Sequence, residues 1–478
     1  MKIMIRIFMA VCICLMSLVP VQAADYQYWS FQLTDGRTIT ADEYHEKTIV
    51  FIFYSAETDA EGNAVNANSA EVLEYLSTDP FAEAENTMTV AAAVEDKTAA
   101  EVDAFIDKYG RSENIYYAYN AMDMLDKLVG IEDGMQYTVC ALYTNGQVTM
   151  MTDYMSPSMY EIDIKKELGI LDITYFGLQL KVTFHQDLAR EMLDLVNEFR
   201  TGDEAWYWNK DNTEKVYAEN LNTLVYDYEL EKAAMQRAAE VAYYFAHGRA
   251  DMKTYFDTLE EMGITDVYVG ENLITGTSLR NVRNALAGLK ESGLPYQYQG
   301  HRRNMLNEKH VSCAFACAEY NGLYYWVQEF SYGLIGDSYT PVNTNTETRT
   351  IHACDIYTVG WKMEKETLDL APGTSGKISK INALTISPTK THKWEDQYRK
   401  VENVLSWTSS NEDVISVSGD SFTAKKTGTA VLTAVTPDPS VKVQFTVNVK
   451  DEDEGPIITP EPTPAVKTVE MYRLYNPN

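Results

Sequence analysis

The chain has 478 residues, of which 70 are acidic and 40 are basic, and its net charge at pH 7 is -30. So acidic a surface repels phosphate backbones and anionic lipid headgroups, which excludes nucleic acid as an expected partner and favours cations among small partners. At roughly 100 to 200 residues per domain, the length predicts about two to four domains.

The first 23 residues have the organisation of a secretory signal peptide. Lys2 and Arg6 precede an apolar run, Ile7–Val19, and small residues at Val21 and Ala23 mark a cleavage site. Because no later segment has the roughly 18 consecutive apolar residues of a membrane span, we expect a mature chain that is not transmembrane and is secreted or held at the cell surface. Loss of Lys2 and Arg6 makes its net charge -32. An uncleaved anchor helix is the alternative, for which the apolar run is short.

Four of the six cysteines remain after cleavage: Cys140, Cys313, Cys317 and Cys354. Four thiols in so long an exported chain do not make a disulfide scaffold. In the strand-like "SCAFACAEY", Cys313 and Cys317 would lie about 13 Å apart, which is too far for a disulfide. We expect these cysteines to be buried as small apolar side chains.

Residues 24–172 alternate strand-like and helix-like patterns and predict an α/β domain. "TIVFIFYS" is continuously apolar, which is typical of a strand covered on both faces. "AAEVDAFIDKYG" has helical spacing, and Asn145-Gly146 predicts a hairpin turn inside "YTVCALYTNGQVTMMTD".

The order of these patterns, beginning with "FQLTDGRTITADEYHEKTIVFIFYS", resembles the thioredoxin-like family. That family carries two cysteines spaced C-x-x-C after the central strand, and "FYSAETDAEGNAVNAN" has none. Without a thiolate there is no nucleophile for disulfide exchange, so no redox activity is expected from this domain. An interaction module is the expected role.

Residues 180–335 are helical first and strand-like afterwards, which predicts an α+β domain. Leu188, Met192, Leu195, Val196 and Phe199 form one apolar stripe. "LEKAAMQRAAEVAYYFAH" follows as an Ala-rich helix, and "CAFACAEY" and "LYYWVQEFS" form a hairpin around Asn321-Gly322.

Five ordered motifs in this region, "LVNEFR", "LEKAAMQRAAEVAYYFAHGR", "GENLITG", "GHRRNMLN" and "NGLYYWVQEFS", resemble the CAP superfamily in its bacterial form. This is the superfamily of cysteine-rich secretory proteins, antigen 5 and pathogenesis-related proteins. The resemblance implies a secreted, three-layered α-β-α fold with a cleft lined by two histidines and acidic residues.

The resemblance assigns the cleft to particular positions. The histidine that ends the second helix matches His247, the glutamate of the GEN motif matches Glu271, and the histidine of the G-H motif matches His301. The second acidic position has no clean match, and Glu291 and Ser292 are its candidates. Imidazoles and carboxylates suit Zn²⁺ and similar divalent cations, so His247, Glu271 and His301 are the candidate metal ligands.

Without the resemblance, each of these residues has a structural explanation. His247 would meet the C-terminal dipole of its helix, and Glu271 would bind amides of its own loop. Arg302 and Arg303 are expected on a solvated face, and His310 is expected on the surface or in the core.

Residues 336–360 are expected to be a linker, and residues 361–450 an all-β domain. Val441, Val443, Phe445, Val447 and Val449 alternate with polar residues, as in a half-buried strand. "WTSSNEDVISV" followed by "AKKTGTAVLTA" resembles bacterial Ig-like domains of the second group, which implies a sandwich that acts as a spacer or adhesive module. Residues 451–478 are expected to be an acidic, Pro-rich linker and the start of a truncated repeat.

Three functional classes follow for this multidomain chain. The first is an extracellular binding module, whose His/Glu cleft takes an unknown ligand, a divalent metal or a partner protein. The second is a metal-dependent hydrolase, a peptidase or esterase, with Glu271 as general base. The third is a structural surface protein with no activity in the cleft. Binding is favoured over catalysis, because the matched positions include no serine or cysteine nucleophile.

Overall fold

The computed structural model describes residues 27–130, 138–153, 162, 164–265, 267–378, 380–388, 394–451 and 465–466. The described residues up to Asp172 form one compact unit, and those from Ile173 onward form a second. The predicted signal peptide and nearly all of the predicted C-terminal tail lie outside the described residues. Within the described chain, no helix is both long enough and apolar enough to cross a membrane.

The first unit is built around one mixed sheet. Its elements are β1 (Ser30–Gln32), β2 (Thr38–Thr40), β3 (Thr48–Tyr54), α1 (Ala67–Leu76), β4 (Thr87–Ala93), α2 (Ala99–Tyr109), β5 (Ile115–Ala118), α3 (Met122–Val129), β6 (Val139–Thr144) and β7 (Gln147–Asp153). The strand order is β5-β4-β3-β6-β7. The first three strands of this order are parallel, and β6 and β7 are antiparallel additions. The α/β architecture expected for this region is therefore present.

Strand β3 is covered on both faces, as its continuous apolar sequence predicts. Ile49, Phe51 and Phe53 belong to one hydrophobic core, and Val50 and Ile52 belong to another. Successive side chains of a strand point to opposite faces, so both faces of the sheet are packed.

The predicted hairpin turn also forms. Asn145 and Gly146 connect β6 to β7 with φ values of 54° and 88°. Positive φ at two successive residues is what a two-residue hairpin turn requires, and asparagine and glycine tolerate it best.

The second unit begins with the region that carries the candidate site. Its elements to residue 354 are β8 (Tyr175–Phe184), α4 (Gln186–Thr201), β9 (Trp206–Trp208), β10 (Lys215–Tyr217), β11 (Val225–Tyr226), α5 (Tyr228–Tyr243), α6 (Tyr255–Glu261), β12 (Val269–Gly276), α7 (Val282–Lys290), a 3-10 turn (Tyr296–Tyr298), α8 (Gly300–Met305), β13 (Ser312–Tyr320), β14 (Leu323–Ser331) and β15 (Thr346–Cys354). The main sheet has the order β12-β14-β13-β8-β15, and β11 pairs with β13.

Helices lie on both faces of this sheet. On one face, apolar residues of α4, α7 and α8 share a core with Cys313, Phe315 and Cys317 of β13. On the other face, Arg237 of α5 contacts Glu271 of β12. The result is the α-β-α arrangement that the sequence resemblance implies.

Strand β15 lies in the segment that was expected to be a linker. It pairs along its whole length with β8, from Thr346 opposite Thr183 to Cys354 opposite Tyr175. Its N-terminal half is largely exposed, because it is the edge strand of the sheet, and this explains its polar sequence.

The C-terminal part of the second unit, as far as it is described, contains strands and no helix. The strands are β16 (Thr358–Met363), β17 (Thr367–Leu370), β18 (Ser375–Lys377), β19 (Ile381–Pro388), β20 (Trp394–Lys400), β21 (Trp407–Ser409), β22 (Ile415–Ser418), β23 (Ser421–Ala424), β24 (Gly428–Val435), β25 (Lys442–Val449) and β26 (Ala465–Val466). They form three sheets, β20-β19-β16-β26, β17-β25-β24-β21 and β18-β23-β22. In β25, Val443, Phe445 and Val447 are buried while Lys442 and Gln444 are exposed, as the alternation predicts.

Candidate functional site

His247 and Glu271 form the first of the two histidine–glutamate pairs at the candidate site. The His247 Nδ1 atom lies 2.9 Å from Glu271 Oε1. Glu271 is on β12, and its side chain is fully buried, while the side chain of His247 is 26% exposed. The sequence predicts His247 at the end of a helix, but α5 ends at Tyr243 and His247 lies in the following loop. That loop directs the ring toward β12, so the explanation by the helix dipole does not apply.

Arg237 holds the Glu271 carboxylate in place. Its Nε donates to Glu271 Oε2 at 2.8 Å, and its Nη1 donates to Glu240 Oε2 at 2.9 Å. Burial alone would raise the pKa of Glu271, but the Arg237 charge and the His247 hydrogen bond together hold that pKa below its ordinary value. Glu271 is therefore ionised and can only accept hydrogen bonds, so His247 donates through Nδ1.

His301 and Glu291 form the second pair. His301, on α8, has its Nδ1 atom 2.8 Å from Glu291 Oε1, and both side chains are less than a tenth exposed. Glu291 follows α7 with φ 49° and ψ 32°, a left-handed conformation that glycine or asparagine usually adopts. Such backbone strain is concentrated at functional sites, because the surrounding structure must hold it in place. Of the two candidates for the second acidic position, Glu291 is the one beside His301.

Arg302 is buried, contrary to the expectation of a solvated arginine. Its guanidinium donates to the carbonyl oxygens of Glu204 (2.5 Å), Lys290 (2.7 Å) and Trp206, and to Ser292 Oγ (3.0 Å). Burial lowers the pKa of Arg302 to about 10. Arg302 therefore holds the backbone next to Glu291 in place through hydrogen bonds. The Ser292 hydroxyl accepts one of these bonds.

Both pairs lie beside the edge strand β12. The Asn272 amide donates to the His301 carbonyl at 3.2 Å, and the Asn304 amide donates to Asn272 Oδ1 at 2.9 Å. Glu271 and Asn272 are neighbours in a strand, so their side chains point to opposite faces of the sheet. The His247–Glu271 pair is thus supported by α5 on one face of the sheet. Helix α8, which carries His301, packs against the opposite face.

Arg237 and Asn272 are site residues that the sequence motifs did not identify. Asn272 stands in the quoted GEN motif, but only the glutamate was selected. Arg237 shares a helical face with Leu230, Ala234 and Val241, all of which are buried. A charged residue at a core position of an Ala-rich helix was the signal that could have identified it.

The predicted three-ligand metal set of His247, Glu271 and His301 does not fit the geometry. Both Glu271 oxygens are occupied by hydrogen bonds from Arg237 and His247. Across the described part of the chain, no group of three or more His, Cys, Asp or Glu side chains is arranged to hold a metal ion. In this geometry, the carboxylates orient the imidazoles and leave each ring's Nε2 directed away from its glutamate.

Comparison with protein families supports the assignment of this region. The model of the cysteine-rich secretory protein family, CAP, matches residues 193–330, a span that contains His247, Glu271, Glu291 and His301. A search of curated proteins gives no match.

Solved thioredoxin-like structures are similar to the N-terminal part of the chain. A secreted Mycobacterium tuberculosis disulfide oxidoreductase has 13% identity and a TM-score of 0.23, with 30% of this chain and 96% of that chain covered. The thioredoxin domain of a Bacteroides vulgatus thiol-disulfide oxidoreductase has 9% identity and a TM-score of 0.24, with 31% and 98% covered. A SCO1/SenC family lipoprotein from Bacillus anthracis has 19% identity and a TM-score of 0.23, with 30% and 93% covered.

Proposed function

We propose that the region matching the CAP family is an extracellular binding module that presents the Nε2 atoms of His247 and His301 to ligands. What supports this is one repeated arrangement: each imidazole has its Nδ1 beside the carboxylate of a buried glutamate. A ring that donates through Nδ1 presents a lone pair at Nε2 and is fixed in orientation. The ligand is therefore an electron-pair acceptor, either a divalent cation or a hydrogen-bond donor.

The charge of the protein favours a cationic ligand. The chain carries 30 more acidic than basic residues, so its field raises the local concentration of cations. Histidines that bind metals almost always donate their second ring N–H to a carboxylate or carbonyl, which is the arrangement found here. Water or a bound molecule would complete the coordination of a cation at either ring, because an imidazole alone does not saturate a divalent ion.

The hydrolase alternative has less support. A general base needs a free carboxylate oxygen directed at water, whereas Glu271 already accepts hydrogen bonds at both oxygens. Peptidase and esterase assays with and without chelator test this alternative. Chelator-sensitive turnover by the mature chain that is lost in His301→Ala would revive it.

Calorimetric titration with Zn²⁺ alone tests the binding proposal. We expect saturable binding by the mature chain, weakened about tenfold or more in His247→Ala and in His301→Ala. His352→Ala is the matched control, because it removes an exposed imidazole from the edge strand β15 and should leave the affinity unchanged. Equal affinity in the wild type and both site variants would contradict a cation at these imidazoles. Zinc binding absent from the wild type would leave a hydrogen-bond donor as the ligand class.

A further inference from the structure

Glu329 is a buried carboxyl group for which the proposed function gives no role. It lies on β14, the strand next to β12, and its residue exposure is 0%. Neither of its carboxyl oxygens accepts a hydrogen bond from any donor in the described residues. An ionised carboxylate without donors is strongly disfavoured in a protein interior.

Glu329 stands directly opposite Glu271. The two are partners in the antiparallel pairing of β12 with β14. Side chains directly opposite each other on neighbouring strands share one face of the sheet, and their Cβ atoms lie about 5 Å apart. Two ionised carboxylates at this separation in a dry core repel each other, whereas one carboxylic acid and one carboxylate can share a proton.

The surrounding charges would not compensate a negative charge on Glu329 in addition to the charge on Glu271. The groups that interact with Glu329 or with its partner are Glu271 on β12, Arg237 and Glu240 on α5, Tyr255 on α6 and His247 in the loop after α5. The Arg237 guanidinium already donates hydrogen bonds to Glu271, Glu240 and the Ala246 carbonyl. Burial, and then the charge of Glu271, raises the pKa of Glu329 well above its ordinary range.

We infer that Glu329 is a neutral carboxylic acid at neutral pH and donates its proton in a hydrogen bond to Glu271. Glu271 then accepts from three donors, namely His247, Arg237 and Glu329. Glu329 is a positioning residue, because it acts on the imidazole through Glu271 and not on the ligand. Its effect on ligand binding rests on the proposed function, but its protonation does not.

Protonation is tested without any ligand, on the mature chain. In the infrared spectrum at pH 7, we expect a carboxylic acid C=O band in the wild type that is absent from Glu329→Gln. Glutamine is the matched variant, because it is neutral and keeps an N–H donor toward Glu271. Glu191→Gln is the surface control, since Glu191 is exposed on α4, and it should leave the band in place.

The pH dependence of stability gives a second readout. The folded state keeps the Glu329 proton above the unfolded pKa of about 4.3, so this contribution to stability is full below that pH and is lost as pH rises. Hydrogen exchange of the β12 and β14 amides measures the opening constant. Relative to Glu329→Gln, the wild-type constant should rise about tenfold per pH unit between about pH 5.5 and 7.5. If the ratio of the wild-type and Glu329→Gln opening constants does not change with pH, and both proteins show the carboxylic acid band, Glu329 is not protonated in the folded state.

The positioning role is tested through His247. In Glu329→Leu, Glu271 loses a donor, so the His247 Nδ1–H resonance should shift and Zn²⁺ affinity should fall, whereas Glu329→Gln should restore both. A His247 resonance that is identical in the wild type, Leu and Gln variants would overturn the positioning role. If the wild type binds no zinc, the cation proposal fails, and the infrared, exchange and resonance measurements still decide the role of Glu329.

Discussion

His310 illustrates how a single buried ring can couple stability to pH. It is 1% exposed, and its ring stacks on Phe330 with centroids 5.3 Å apart and planes at 19°. Burial, reinforced by the positive charge of Arg200, lowers its pKa from 6.5 to about 3. The neutral ring behaves as an aromatic core residue, and protonation would place an uncompensated charge inside the domain.

We predict that His310 makes the second unit acid-sensitive. The unfolded state binds a proton below about pH 6.5 and the folded state does not, so the stabilising contribution is present above pH 6.5 and is lost as pH falls toward 3. Between pH 7 and pH 5 the loss is about 2 kcal/mol. His310→Phe keeps the stacking and should remove this part of the pH dependence in denaturant unfolding. Parallel pH profiles for the two proteins would contradict the prediction.

Individual site residues were predictable to different degrees. His247, Glu271 and His301 stand in recognisable motifs, and the structure places each histidine beside a glutamate. The choice between Glu291 and Ser292 could not be made from the sequence, because it depends on the left-handed conformation of Glu291 after α7. Glu271 was expected to be a metal ligand, and only the fold reveals the guanidinium that occupies its oxygens.

At the level of elements, α8 is positioned by a close contact with β12. A Cβ atom on Gly270 would lie 2.7 Å from Asn304 Oδ1 and 3.1 Å from Asn304 Nδ2. Asn304 in turn bonds Asn272, whose amide supports the His301 backbone. The strand and the helix approach so closely only because Gly270 lacks a side chain.

We predict that Gly270→Ala moves α8 away from β12. The clash and the lost hydrogen bonds should reduce the free energy of unfolding by about 1–3 kcal/mol and weaken any ligand held by His301. Gly293→Ala is the control, because a Cβ atom there meets nothing within 4 Å, and its effect should stay within about 0.5 kcal/mol. Thermal unfolding and zinc titration of both variants provide the measurement. Equal behaviour of the two variants would contradict this account of the contact.

The elements that are most predictable from the sequence are those with strong local patterns. Strand β3, the Asn145-Gly146 turn and the stripe on α4 all follow from residue periodicity or turn chemistry. Strand β15 was not predicted, because its polar residues suggested a linker and its partner β8 lies far away in the sequence. Pairing over such a distance depends on the assembled sheet, which no local pattern contains.

At the level of the whole chain, the four cysteines of the described residues are all buried. Cys140, the one cysteine in residues 27–172, is buried on β6, and Cys313, Cys317 and Cys354 are buried in the second unit. Burial raises the pKa of Cys354 to about 12 and raises those of Cys313 and Cys317 further. Because the thiolate is the reactive species, all three are poor nucleophiles at neutral pH.

We predict that the folded chain without its first 23 residues is inert to thiol reagents. Titration with an aromatic disulfide reagent should detect no thiol in buffer and four after unfolding in guanidinium chloride. Rapid reaction of a thiol in the folded protein, or disulfide reductase activity of the chain, would contradict both this prediction and the expectation of a redox-inactive N-terminal unit.

The sequence changes its character near residue 172 and again near residue 361. The first compact unit ends at Asp172, where the α/β pattern gives way to β8, and the region after residue 361 consists of strands in its described part. Whether those strands form an Ig-like sandwich stays a prediction, because short alternating strands are common to many all-β architectures.

The pairing of β8 with β15 has a mechanical consequence for a chain that is anchored and pulled. Tyr175, near the start of the second unit, is opposite Cys354, so the polypeptide enters and leaves the sheet at adjacent points. Tension along the chain would therefore peel these two strands apart one residue pair at a time, starting from that end. The histidine pairs lie beside β12 at the far edge of the same sheet, and three strands separate β12 from the peeling edge β15.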